Sequence, residues 1–307
     1  MRGFWLAACA GLALAACAPS APDPLEAAAR ACAAGEGEAT IAACTTVIDA
    51  QGPDESAKAE AYARRGDARR AGGDVTQALR DYEAALRLDD AHTPALLGRG
   101  EVLYASGQLD AALPMVERAA QNDASGRAEL MLGRIALARG EREKALAHLD
   151  AALAQDGNLA EAHASRARLR KANGDLAGAR ADFSDAIRIN PALSEARAGR
   201  CWLSLEAGEQ LDQARDDAEA AVLADARNVE AQVCRGVLQL RTGEPGDALA
   251  SFSAALSVEP GNPEALFGHG IARMRTGDSQ GSRDMNRARD FSSHVGQRYA
   301  QLGIETR

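Results

Sequence analysis

Six cysteines and five histidines are the side chains of this 307-residue sequence best suited to nucleophilic or metal chemistry. Their spacing argues against a zinc site. His92, His148, His163, His269 and His294 are scattered, with no His-x-x-x-His and no Cys-x-x-Cys anywhere. Gly268-His269-Gly270 and Gly35-Glu36-Gly37 begin like a dinucleotide fingerprint. Arg273 and Thr40 then stand where the third glycine belongs, and no strand pattern precedes either. The acidic pairs Asp89-Asp90 and Asp216-Asp217 lack the alternating oxygens of a calcium loop and read as solvated charge. The expectation is a non-enzymatic chain with no catalytic residues, no metal and no cofactor.

Composition indicates the elements that carry these side chains. The chain is 46% hydrophobic and 26% charged, which places it with folded rather than disordered proteins. Aromatic residues make up only 4%, while Ala and Leu abound, which favours helices over strands. A formal net charge of -9 argues against nucleic acid as a partner, because that affinity rests on clustered Lys and Arg.

One register organises the helices. Gly73, Gly107, Gly140, Gly174, Gly208, Gly243 and Gly277 recur at separations of 34, 33, 34, 34, 35 and 34 residues. Seven residues before each lies a small side chain: Gly66, Gly100, Gly133, Ala167, Cys201, Gly236 and Gly270. Five residues after most of them lies Ala78, Ala112, Ala145, Ala179 or Ala248, with Ala214 one place late and Ser282 substituting. This spacing predicts antiparallel pairs of helices of about a dozen residues, the glycine ending the first helix of each pair. Asp74, Asp175 and Asp278 are placed to cap the second helix, and Tyr82, Leu149, Phe183 and Phe252 fill between the two. One pair cannot bury both of its faces, so consecutive pairs must stack.

The pattern resembles the tetratricopeptide repeat between Ala59 and Asp290, with Pro191 and Pro260 closing units as in that family. The resemblance implies an all-α fold, a right-handed α-α superhelix of antiparallel helix pairs. Seven units are expected over 59–291, a degenerate helical unit over 25–58, and a capping helix and tail over 292–307. Arg65, Arg99, Arg166, Arg200 and Arg235 replace the leucine usual before the small residue. Three of them have a matching aspartate on the second helix, which predicts the ion pairs Arg65–Asp81, Arg166–Asp182 and Arg200–Asp217. These read as structural; a mostly exposed pair contributes only ~0–1 kcal/mol.

In the resembled family the first helices line a concave surface, and the position after the small residue, with those at -4 and +3 from it, faces the partner. Carried over, that face is acidic at Asp67 and Glu101 and basic at Arg134, Arg168 and Lys171. It then becomes apolar at Trp202, Leu205, Val233, Val237, Leu240, Phe267, Ile271 and Met274. Two readings stay open for the apolar set: a docking surface for a helix or extended peptide, or core closed over by the C-terminal helix. The Lys and Asn clamp by which some family members hold a carboxylate terminus is missing at the matching places.

The N-terminus has Arg2, an apolar run from Gly3 to Ala16 and a small-residue cleavage context, the layout of a secretory signal over 1–16. Leu14-Ala15-Ala16-Cys17 resembles the lipobox of bacterial lipoproteins. That resemblance implies acylation of Cys17, with a Pro/Ala tether over 17–24; an ordinary signal peptide or an uncleaved anchor is the alternative. Ala18 resembles outer-membrane sorting. With Cys9 removed and Cys17 acylated, Cys32, Cys44, Cys201 and Cys234 are left, and an even number in an exported protein favours disulfides. A Cys32–Cys44 bond is expected, although a regular hairpin would offset the two by about 10 Å along the axis, so the pairing requires the N-terminal segment to leave the repeat register. Cys201 and Cys234 point about 200° apart around their helices and are expected as buried free thiols, with a bond between them as the alternative.

These readings converge on a lipid-anchored bacterial envelope protein, facing the periplasm and held on the outer membrane, that scaffolds protein or peptide partners through its concave face. A structural spacer, a self-assembling subunit or an accessory factor of a periplasmic cell-wall enzyme is the alternative.

Overall fold

The computed structural model describes residues 23–305. The expected signal segment, the expected lipidation position Cys17 and most of the expected tether therefore lie outside the described residues. Among the described residues all regular structure is helical, in seventeen helices. They run α1 (Pro24–Ala34), α2 (Gly37–Asp49), α3 (Glu55–Ala71), α4 (Val75–Leu88), α5 (Thr93–Ala105) and α6 (Leu109–Ala120). Next come α7 (Arg127–Ala138), α8 (Arg142–Gln155), α9 (Ala160–Ala172), α10 (Leu176–Ile189), α11 (Ser194–Ala207) and α12 (Leu211–Ala224). The series closes with α13 (Val229–Thr242), α14 (Pro245–Val258), α15 (Pro263–Arg275), α16 (Gly281–Phe291) and α17 (Val295–Gln301). The described residues form two compact units, one up to Val102 and one from Leu103.

All seven register glycines take the left-handed conformation, with φ between 70° and 90°, a region that penalises a Cβ and ends a helix cleanly. Asp74 and Asp175 accept backbone N–H bonds from Gln77 and Gly178 and so cap α4 and α10. Asp278 instead accepts from the Gln280 amide, in the turn ahead of α16. The 35-residue unit carries its extra residue in a turn: Gln210, at φ 51°, is the only left-handed non-glycine among the described residues. This is why Ala214 and Ala221 fall one place late.

In the first unit, Tyr82 of α4 is fully buried among Ala59, Ala63, Ala78, Ala85 and Ala95. A Cβ at Gly66 would lie 2.7 Å from its ring, so glycine there is what lets an aromatic side chain sit between α3 and α4. The N-terminal pair α1–α2 is joined by Cys32–Cys44, with Cα atoms 4.7 Å apart. The turn that permits this lacks the left-handed stop of the other units: Gly35 is extended (φ -87°, ψ 172°) and α2 starts two residues later.

In the second unit the same device recurs. Phe252 of α14 lies against Gly236 of α13, where a Cβ would come within 2.7 Å of the ring. Cys201 of α11 and Cys234 of α13 are bonded, with Cα atoms 6.5 Å apart, which corrects the expectation of two free thiols. A difference of about 200° is the relation between side chains on neighbouring, similarly directed helices that look towards each other, so the angular argument favours a bond between stacked units.

Candidate partner-binding site

The predicted interhelical ion pairs form, but not as exposed pairs. Asp81, Asp182 and Asp217 are buried, with 3%, 2% and 2% of their surface exposed, and each is held by two guanidinium groups. Arg65 and Arg69 reach Asp81 at 2.8 and 2.7 Å. Arg166 and Arg170 reach Asp182 at 2.7 and 2.8 Å, and Arg200 and Arg197 reach Asp217 at 2.7 and 3.1 Å. The second arginine, one turn away on the same helical face, is the part the sequence reading missed. Burial works against the Asp182 charge, but hydrogen bonds from His163 and Arg166 and the nearby Arg170 outweigh it and hold the carboxyl down at about 2.

His163 lies 3.1 Å from Asp182, and with Asp185 the three groups are close enough to share a cation. The two guanidinium groups donate three hydrogen bonds to Asp182 and His163 stands at the fourth acceptor position, so the carboxylate is filled and positive charge is already at the same point. The cluster therefore belongs to the helix–helix clamp and does not suit a metal ion.

Of the eight apolar residues carried over as partner-facing, seven are buried: Trp202, Leu205, Val233, Val237, Leu240, Phe267 and Ile271 are each at most 4% exposed, while Met274 is 41% exposed. They form core with the chain's own C-terminus. Tyr299 of α17 sits 5.1 Å from the Phe267 ring and donates its hydroxyl to the Glu264 carbonyl at 2.7 Å. Val295, Leu302 and Ile304 join the same core. The apolar docking surface is thus corrected: of that set only Met274 is exposed, and ion-paired side chains line the first helices of this unit.

The charge is ordered as a ladder. Arg134 reaches Glu161 at 2.7 Å, and Arg168 reaches Glu195 at 3.0 Å. In both, the cation follows the small residue of one first helix, and the glutamate stands 27 residues on, in the first turn of the next first helix. Lys171 is also paired, with Glu206 at 3.1 Å. In the next two units the cation position holds Trp202 and Val237. The Trp202 indole N–H donates to the backbone carbonyl of Glu230 at 3.2 Å instead of to its carboxylate. Glu264 recovers a cation from far along the chain: Arg298 of α17 meets it at 2.7 Å, touches Glu206 at 3.3 Å and lies 4.8 Å over the Trp202 ring.

Glu230 has no such replacement. Its nearest cation is Arg168 at 3.8 Å, already committed to Glu195. Burial raises the Glu230 carboxyl above the ordinary range, against the pull of Arg168 and Lys171. It borders a cavity of about 300 Å³, walled also by Trp202, Val233, Glu259, Glu264 and Arg298.

Stacked helix pairs in a fixed glycine register, with a shared charged face along the first helices, define a helical-repeat protein. Family models described as tetratricopeptide repeat match residues 103–169 in one case and residues 58–127, 203–256 and 235–292 in another. The chain belongs to the tetratricopeptide repeat family, whose members generally mediate protein–protein interactions. Solved structures share the fold. A chain of the APC/C hetero-tetramer Cut9–Hcn1 is 16% identical with a TM-score of 0.63, covering 80% of this chain and 45% of that one, so this protein spans less than half of that relative's length. Pseudomonas aeruginosa pilF is 17% identical with a TM-score of 0.57, over 67% of this chain and 94% of its own. A tetratricopeptide repeat protein from Parabacteroides merdae ATCC 43184 is 18% identical with a TM-score of 0.51, over 80% and 98%. No curated protein matches the sequence.

Proposed function

We propose that the protein is a non-enzymatic, lipid-anchored adaptor of the bacterial envelope that holds a protein partner on the first-helix face of its second unit. The observation that carries the binding face is the interrupted charge ladder: a cavity of about 300 Å³ opens where the repeat's own cation is missing. The sequence Leu14-Ala15-Ala16-Cys17 supports the anchor, which acyl chains at about 0.8 kcal/mol per buried methylene would hold stably on a membrane. Crosslinking in native envelopes followed by mass spectrometry tests both halves, with wild type compared against Cys17→Ser. Partner crosslinks on α11, α13 and α15, with membrane retention lost in the variant, are expected. Crosslinks confined to the second helices, or a Cys17→Ser protein that stays on the membrane, would refute the reading.

A further inference from the structure

Within one repeat array each position has internal controls, and the glutamate of the first turn is such a position. Glu161, Glu195, Glu230 and Glu264 are equivalent, each near the start of a first helix. Three have a cation within 3.0 Å: Arg134, Arg168 and Arg298. The third of these shows that when the ladder's own residue is lost, a guanidinium from elsewhere takes the seat, and the Trp202 face adds a second contact for it. The fourth glutamate, Glu230, opens onto the cavity with Glu259 and Glu264 as further acidic walls and Arg298 as the one cation lining it. Arg298 is already divided between Glu264 and Glu206, and Lys171 is held by Glu206. The cavity thus has an excess of negative charge over an aromatic and aliphatic floor of Trp202 and Val233.

We infer that the cavity beside Glu230 is the seat of a cationic side chain, guanidinium or ammonium, carried by an extended or helical segment of a partner protein. The incoming cation completes the ladder at the position where Arg134 and Arg168 complete it in the units before. This inference rests on the proposed adaptor role of the first-helix face and narrows its partner to a segment bearing Arg or Lys. An anionic segment would meet three carboxylates with Arg298 the one lining cation to offset them.

The test uses the full chain with Trp5→Phe, so that Trp202 is the reporting fluorophore. It is titrated with three short capped peptides that differ only at the central residue: Arg, the neutral isostere citrulline, or Glu. The arginine peptide is expected to change Trp202 emission saturably, and the citrulline peptide to bind about tenfold more weakly, the loss of one charge-assisted contact. Glu230→Gln, with its unfolding midpoint unchanged, is expected to weaken the arginine peptide by a similar factor; Glu259→Gln is a second, more exposed variant with the same expectation. Equal binding of the arginine and citrulline peptides, insensitivity to both variants, or no saturable response overturns the cation seat. Preference for the glutamate peptide overturns it while leaving an interacting face intact. A response to spermidine but not to the arginine peptide overturns the partner segment as the source. Arginine-peptide binding without any envelope crosslink on α11, α13 or α15 would uphold the seat and count against the adaptor role alone.

Discussion

Asp182→Asn is the substitution whose effect can be worked most directly from the structure. It keeps the size of the side chain and removes the charge that Arg166, Arg170 and His163 surround. Removing one partner of a buried ion pair costs about 3–5 kcal/mol. Arg170 is 31% exposed and can turn part of its charge to water, which places the loss near the lower end, about 3 kcal/mol. The carboxyl provides a second magnitude. Its fall from 3.8 to about 2, at about 1.4 kcal/mol per unit, corresponds to about 2 kcal/mol held by the ionised form. Because the folded value is the lower one, that contribution is complete above pH 3.8 and is lost as pH falls towards 2. Urea unfolding of wild type and variant should differ by about 3 kcal/mol at pH 6, and the gap should narrow by about 2 kcal/mol as pH is lowered to 2. Hydrogen exchange at pH 7 should place the weakening in α9 and α10, since stacked repeats open locally. A gap under about 1 kcal/mol at pH 6, or one that does not change with pH, would refute the double-arginine clamp as a stabilising device.

Two further outcomes follow from packing and covalent structure. Gly236→Val pushes a side chain into Phe252, whose ring would lie 2.7 Å from the new Cβ; overpacking of this kind should cost about 1–3 kcal/mol, read as a lowered thermal midpoint and faster exchange in α13 and α14. Opening Cys201–Cys234, by Cys201→Ser with Cys234→Ser, releases a closure of 33 residues and should destabilise the second unit by about 3 kcal/mol, measured by denaturant titration against wild type under non-reducing conditions.

The fold was legible because the glycine register recurs seven times and a left-handed residue has few other uses at that spacing. The Arg–Asp pairs were legible in the same way, from matched positions on the two helices of a unit. Their burial was not, because it depends on Arg69, Arg170 and Arg197, whose types alone do not say which way they turn. The binding face was read least well. Trp202, Phe267 and Ile271 have the helical spacing of a docking stripe and of core alike, and the choice depends on Tyr299 and Leu302 arriving from the C-terminus. The contact of Arg298 with Glu206 spans 92 residues, a distance over which no local pattern carries information. The gap at Glu230 could have been found from sequence by aligning Trp202 and Val237 with Arg134 and Arg168.

The added residue at Gln210 leaves Arg200 and Asp217 joined at a separation of 17, where Arg65–Asp81 and Arg166–Asp182 are joined at 16. The bend between the paired helices thus absorbs a length change without passing it on to the clamp or to the units beyond. That makes the bend at Glu209 and Gln210 the place in this unit where the chain takes up an added residue while its two helices keep their pairing.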